Sequence, residues 1–339
     1  MTKALPLAED GLDVVTGGAG FIGSHLVDRL RADGRRVRVL DNFHTGGPHN
    51  LAHRRDDAAL EVIEGDIRDR AATREALKGA ERVFHLAAMA DIVPSIQNPE
   101  LYYDTNVTGT FNVLQAAREA GARRLVYAAS SSCYGIPDAY PTPESAEIRP
   151  EYPYAETKFL GENLVMHWAQ VYGLNAVSLR FFNVYGPRSR TSGAYGAVFG
   201  VFLAQLLAGK PLTVVGDGEQ TRDFTYVGDI ADAVATAGGL DVSGEIFNVG
   251  TGRDVSVNRL VELLGAEEVV HLPKRPGEPD CTLADVSRIA EAMNWRASTP
   301  IETGVEIMLD NIDYWREAPV WTPEAIGTAT ADWFKYLSR

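Results

Sequence analysis

Near the midpoint of the chain stands Tyr154-Ala155-Glu156-Thr157-Lys158, a phenol and an ammonium four residues apart. On a helix that spacing puts both groups on one face. The run from Glu151 to Tyr172 reads as helical, with Phe159, Leu160, Leu164, Val165 and Trp168 along an apolar side. An ammonium beside a phenol favours phenolate and lowers its pKa toward the range useful for proton transfer. Taken alone, the same pair fits a solvated helix face, so its meaning depends on what surrounds it.

The elements that would position this pair lie upstream. Leu12-Asp13-Val14-Val15-Thr16 is a short apolar run that stops at Gly17-Gly18-Ala19-Gly20-Phe21-Ile22-Gly23, and a helical pattern with Leu26, Val27 and Leu30 on one face follows. Strand, glycine turn and helix together present backbone N–H groups and a helix N-terminus to a pyrophosphate. Gly17, Gly20 and Gly23 allow the tight turn, the approach of phosphate and close helix–strand packing. A second strand, Val37 to Leu40, ends in Asp41, where a carboxylate can bond both adenosine ribose hydroxyls and repel a 2′-phosphate. That reading favours NAD over NADP; a capping or turn role for Asp41 stays open.

Further strands are expected at Leu60–Ile63, leading into Asp66 and Ile67, and at Arg82–Leu86, leading into the small residues Ala87 and Ala88. His85, inside the latter, reads as a core histidine. A long helix is expected over 99–120, carrying Asn106, and a fifth strand at Leu125–Ala129 that runs into Ser130-Ser131-Ser132. Ser130 falls at a strand end, where its hydroxyl could meet both Tyr154 and a substrate oxygen. Such alternation predicts an α/β fold, a Rossmann-type doubly wound parallel sheet with ligands beyond the carboxyl ends of its strands.

The net charge of −14 disfavours nucleic acid and anionic membranes as partners. No apolar run approaches the roughly 20 residues of a membrane span. Met1 to Gly11 lacks an apolar core, so no secretory signal is expected. Cys133 and Cys281 are far apart and without ligand spacing, which argues for a reducing, cytoplasmic setting and against a metal site.

Together, Gly17-x-x-Gly20-x-x-Gly23, Asp41, Asp66, Asn106, Ser130 and Tyr154-x-x-x-Lys158 resemble the extended short-chain dehydrogenase/reductases. More narrowly the chain is similar to the nucleotide-sugar epimerase/dehydratase branch, and within it to UDP-hexose 4-epimerases. The resemblance implies a NAD site formed by the glycine loop with Phe21 and Ile22, by Asp41 and Asn42, by Asp66 and Ile67, by Leu86, Ala87 and Ala88, and by Asn106, Tyr154, Lys158 and Phe182. It implies that Tyr154 takes the proton of the sugar 4-hydroxyl while Lys158 holds the nicotinamide ribose and lowers the pKa of Tyr154. The C4 hydride then leaves for NAD, the 4-keto sugar turns over, and the hydride returns to the other face. Ser130 takes the family's Ser/Thr position, with Ser131 and Ser132 lining the sugar pocket.

Two departures bear on the reaction. Related dehydratases carry Asp-Glu after the catalytic hydroxyl residue, since elimination needs its own acid and base, and decarboxylases carry a Glu nearby; here stand Ser131 and Ser132. Cys133 sits at the wrong spacing for a 3,5-epimerase acid/base and reads as a core residue. Epimerisation without elimination is the reading left.

In the second half, Asn175 to Phe182 reads as a sixth strand, followed by Asn183, a helix over 198–207, a short strand at 212–215, a helix beginning near Asp229 and a returning strand at 245–249. We therefore expect a NAD-binding domain over 1–183, with that returning strand, and a mainly substrate-binding region over 184–339. By resemblance, Asn183, Arg222 and Arg275 meet the substrate diphosphate, Glu278 the nucleoside ribose, and Thr282 the space beside the sugar ring. Arg188 or Arg190 could instead meet a 6-carboxylate, which would suit UDP-glucuronate. The aromatic tail, with Trp321, Trp333, Phe334 and Tyr336, is expected to dock on the body or on a partner, without chemistry of its own. A homodimer built on the helices near 99–120 and 152–173 follows by analogy.

Overall fold

The computed structural model describes residues 3–191 and 197–338. Across them the chain builds a parallel sheet from β1 (Leu12–Thr16), β2 (Arg36–Asp41), β3 (Leu60–Glu64), β4 (Ala80–His85), β5 (Arg124–Ser130), β6 (Ala176–Phe181) and the returning strand Glu245–Val249. The order is returning strand–β6–β5–β4–β1–β2–β3. After β3 the chain crosses to the far side of β1, so the strand order reverses between β1 and β4. That switch point opens a crevice at the carboxyl ends of the strands.

Side chains alternate across each strand, and both faces are covered. Val15, Val37 and Val39 pack against Leu26, Val27 and Leu30 of α1 (Phe21–Ala32) and against Ile230 and Val234 of the helix Val227–Gly238. Val14, Leu40 and Val83 face the other way, onto Val113, Leu114 and Ala117 of the helix Thr110–Ala120 and Val165 and Trp168 of Pro153–Tyr172.

Beyond Pro187 a second core forms around Phe199, Phe202, Leu212, Val214, Phe224, Leu260, Met308 and Trp315. Its strands are short. Thr221–Arg222 pairs with Val255–Ser256 on one side and Cys281–Thr282 on the other, which brings Arg222 beside Thr282. No helix among the described residues is long and apolar enough to cross a membrane.

The helix expected over 99–120 is interrupted. Pro99–Tyr103 is α-helical, Asp104–Gly109 is a π-turn, and the α-helix resumes at Thr110. The widened turn leaves Asn106 pointing at the neighbouring helix, where Gly161 permits close approach: a Cβ there would lie 3.0 Å from the Asn106 carbonyl and 2.4 Å from the Tyr127 hydroxyl.

Candidate active site

Pro153 occupies the first turn of the helix Pro153–Tyr172, and Gly173 closes it in the left-handed conformation (φ 66°). The helix is locked to the sheet one turn beyond Lys158. Glu162 is buried, accepting from the Arg180 guanidinium at 2.6 Å and from the Ser178 hydroxyl at 2.7 Å. Arg180 also donates to the Tyr134 hydroxyl (2.8 Å), which donates to Asn248 on the returning strand (2.7 Å). Such a network, fully satisfied, fixes one arrangement of helix and sheet. It thereby aims Tyr154 and Lys158 into the crevice.

There the Tyr154 phenol and the Ser130 hydroxyl line the same cleft, and Ser130 favours ionisation of the phenol. Ser130 Oγ lies 2.8 Å from Ser132 Oγ, and Tyr152 lines the cleft with them. The Lys158 ammonium is buried, 4.4 Å from the centre of the Tyr127 ring. Burial lowers its pKa to about 7, opposed by the Glu162 charge. Burial also pushes the Tyr154 phenol upward, the Ser130 bond opposing it. Burial thus works against the lowered phenol expected from the Tyr–Lys spacing.

His85 is buried between the hydroxyls of Thr16 (2.7 Å) and Thr110 (2.9 Å), and burial lowers its pKa to about 3. It is a neutral core histidine. Cys133 is likewise buried, its thiol pushed up to about 12 by desolvation.

At the switch point the glycine turn forms a cradle. Gly17 has φ +73°, and a Cβ on it would lie 2.7 Å from the Ala87 nitrogen; one on Gly23 would lie 2.1 Å from the Gly17 carbonyl. α1 begins at Gly20 without a side-chain cap, leaving its first N–H groups for an anion. Asp41, at the end of β2, accepts from the Ala19 (2.9 Å) and Phe43 (2.8 Å) nitrogens; burial raises its pKa. Side-chain-free backbone, an open helix N-terminus and a carboxylate beyond it fit a dinucleotide. We expect Gly23→Ala to lose copurified NAD and to cost about 1–3 kcal/mol, since the clash is with backbone. Cofactor content and a denaturant melt would measure both; an NAD-saturated variant of normal stability would contradict the cradle.

One cleft of about 810 Å³ joins this cradle to the helix Pro153–Tyr172 and the second core. Its walls include Gly17, Gly20, Phe21, Ile22, Gly23, Asp41, Asn42, Ile67, Leu86, Ala87, Ala88, Tyr154, Lys158 and Phe182. On the other side stand Ser130, Ser131, Ser132, Asn183, Arg190, Arg222, Arg275, Glu278 and Thr282. Arg222 donates to Glu278 at 2.9 Å, and Arg275 lies 3.7 Å from the other oxygen of Glu278. Thr282 donates its hydroxyl to Asn183 at 2.7 Å.

Two of the residues singled out from the sequence do not line the cleft. Asn106 is buried behind it, bonding both the nitrogen and the carbonyl of Met89 and the Thr157 hydroxyl, so it holds the strand-end loop to the catalytic helix. The Asp66 carboxylate is engaged by Arg68 and Asn42, and the Arg68 bonds hold its pKa down at about 2. Arg188 pairs with Asp28 (2.7 Å) and Arg190 with Asp91. The structure also adds walls the sequence reading passed over, chiefly Tyr152, Met89, Trp321 and Trp333. Tyr152 precedes the helix with extended backbone (φ −147°), which lets its ring lie parallel to that of Tyr154 at 6.4 Å. Within a continuous helix, residues two apart do not face each other.

The chain belongs to the NAD dependent epimerase/dehydratase family, whose sequence model matches residues 14–250. A UDP-glucose 4-epimerase of Mycolicibacterium smegmatis is 38% identical over 86% of this chain and 95% of its own length. A UDP-N-acetylglucosamine 4-epimerase of Methanobrevibacter ruminantium M1, solved with UDP-N-acetylmuramic acid, superposes with a TM-score of 0.83 at 33% identity, over 90% of this chain and 100% of its own. The UDP-glucuronic acid 4-epimerase of Bacillus cereus, solved with UDP-glucuronic acid and NAD, gives 0.82 at 30% identity, over 89% and 99%. NAD is the cofactor of this family, and the cradle fits it.

Proposed function

We propose that this protein is an NAD-dependent 4-epimerase of nucleotide sugars, acting on UDP-glucose and UDP-galactose or on their 2-acetamido counterparts. The observation that carries the reading is the convergence of Tyr154, Ser130 and buried Lys158 on the same cleft as the glycine cradle. Bound NAD supplies a hydride acceptor that can return what it takes. Tyr154 removes the 4-hydroxyl proton and later gives it back; Ser130 holds the same oxygen, and Lys158 holds a ribose of the cofactor while its charge favours phenolate. Arg222 and Arg275 grip the diphosphate, exchanging their contacts to Glu278 for charge-assisted bonds to substrate. Asn183 and Thr282, already bonded to each other, border the sugar.

Epimerisation is favoured over elimination because the positions after Ser130 are hydroxyls, Ser132 bonded to Ser130, and not a paired acid and base. A neutral sugar is favoured over a uronate because Arg188 and Arg190, which could meet a 6-carboxylate, face separate carboxylates, Asp28 and Asp91, whereas Arg222 and Arg275 share that of Glu278. A cytosolic homodimer completes the reading. The exposed Tyr103, Val171 and Tyr172 on the two helical runs offer an apolar face for it, and the two cysteines are free.

The test is an NMR assay of purified protein without added NAD, with UDP-glucose, UDP-N-acetylglucosamine and UDP-glucuronate offered separately. C4 inversion of one of the neutral sugars is expected. Preferential turnover of the glucuronate would replace the substrate assignment, and no conversion by an NAD-loaded protein would sink the reaction itself.

A further inference from the structure

We infer that the C-terminal helix Ala331–Leu337 is part of the substrate site, with Trp333 as the residue that positions the Arg275–Glu278 loop. The inference rests on the epimerase reading for the identity of the ligand, a hexosyl nucleoside diphosphate. The tail is docked: Trp333 is buried, and Asp332 accepts from Gln97 at 2.8 Å, on the helix Ile92–Gln97 that also packs against the catalytic helix.

Trp333 touches both halves of the cleft. Its indole N–H donates to the Pro276 carbonyl at 2.7 Å, which fixes the ring beside the loop. The Arg275 guanidinium lies over that ring, 5.4 Å from its centre. Across the ring stands Tyr152, 6.2 Å away and tilted by 47°. Tyr152 in turn lies parallel to Tyr154, so a row of three aromatic rings runs from the tail to the catalytic phenol. Arg275, Glu278, Tyr152 and Trp333 all face the same cleft.

The physical consequence concerns Arg275. A guanidinium resting on an indole face presents its edge N–H groups outward, toward oxygen acceptors, while cation–π attraction limits its other rotamers. Pre-ordering of this kind lowers the entropy that diphosphate binding must overcome. With the indole gone, the Pro276 carbonyl loses its donor and Arg275 its platform. The loop keeps the contacts of Arg222 and Arg275 to Glu278, which the substrate itself must displace, beside the Lys274–Asp280 pair. Trp333 acts through Arg275 on affinity and leaves the proton transfer at Tyr154 to its own neighbours.

Trp333→Ala and Trp333→Phe would be compared with wild type as NAD-loaded enzymes. The readouts are UDP affinity by titration calorimetry, steady-state KM and kcat, NAD content and thermal midpoint. For Trp333→Ala we expect UDP affinity to weaken, and KM to rise, about tenfold or more, with kcat within about threefold and NAD retained. Trp333→Phe keeps a ring under Arg275 and should recover most of the loss. Should the alanine variant shed NAD or fail to fold, the phenylalanine variant decides, with a UDP affinity weakened at least about twofold by loss of the Pro276 bond. UDP affinity in the folded variants indistinguishable from wild type would overturn the inference. The titration needs no turnover, so a wild type that converts no sugar defeats the epimerase reading without deciding this one.

Discussion

Tyr154→Phe is expected to lower kcat by about 100- to 10,000-fold while the purified protein keeps its full complement of NAD. The substitution removes one hydroxyl and nothing else. The ring remains stacked on Tyr152, and Ser130, though it loses the phenol, keeps its contacts to the hydroxyl and nitrogen of Ser132. No buried donor is stranded, so stability should change by less than about 1 kcal/mol. The cradle at Gly17, Gly20 and Gly23 is built on the turn between β1 and α1, apart from the helix that carries Tyr154. Single-turnover NMR, NAD release on denaturation and a thermal melt give the three numbers. Turnover within a few-fold of wild type would remove Tyr154 from the role of base, and loss of NAD would make the variant's inactivity uninformative about proton transfer.

Much of this site was legible in the sequence because its parts are local. Four strands of the main sheet, β1, β2, β4 and β5, are largely apolar runs whose carboxyl ends bring Gly17, Asp41, Ala87 and Ser130 to the cleft. Glycine spacing and the Tyr–Lys spacing are local signals too. What escaped depends on tertiary context. The pairing of Thr221–Arg222 with Cys281–Thr282 joins segments some sixty residues apart that are too short to show periodicity. The π-turn over Asp104–Gly109 has no spacing signature, and it is what turns Asn106 toward Met89 and Thr157 rather than into the cleft. Trp333 was visible as an aromatic in a tail, but only the chain's return past Arg275 and Tyr152 gives it a place at the site. The burial that pushes the Tyr154 phenol up was hidden for a related reason: spacing reports the neighbouring cation, and burial is a property of the fold.

Lys158→Met should separate catalysis from stability, lowering turnover about 100-fold or more while raising the thermal midpoint of protein stripped of NAD. Burial holds the Lys158 pKa at about 7, against 10.5 for the exposed group. Between those values the folded chain binds fewer protons than the unfolded one. This lysine's contribution to stability therefore improves as pH rises from about 7 to about 10, and is least favourable below pH 7. Replacing it deletes that penalty, and Glu162 is not stranded, because Arg180 and Ser178 already hold its oxygens. A thioether can also pack on the Tyr127 ring that the ammonium now faces. The gain in midpoint should be largest near pH 6 and fade toward pH 10. Activity should move oppositely with pH. Without the cation, phenolate at Tyr154 is less favourable, so the acid limb of kcat/KM should shift up by about one pH unit or more, restoring part of the lost rate in alkaline buffer. An unshifted limb with full turnover would show that Lys158 contributes nothing to the ionisation of Tyr154, and an unchanged midpoint at pH 6 would show that its charge is already solvated in the fold.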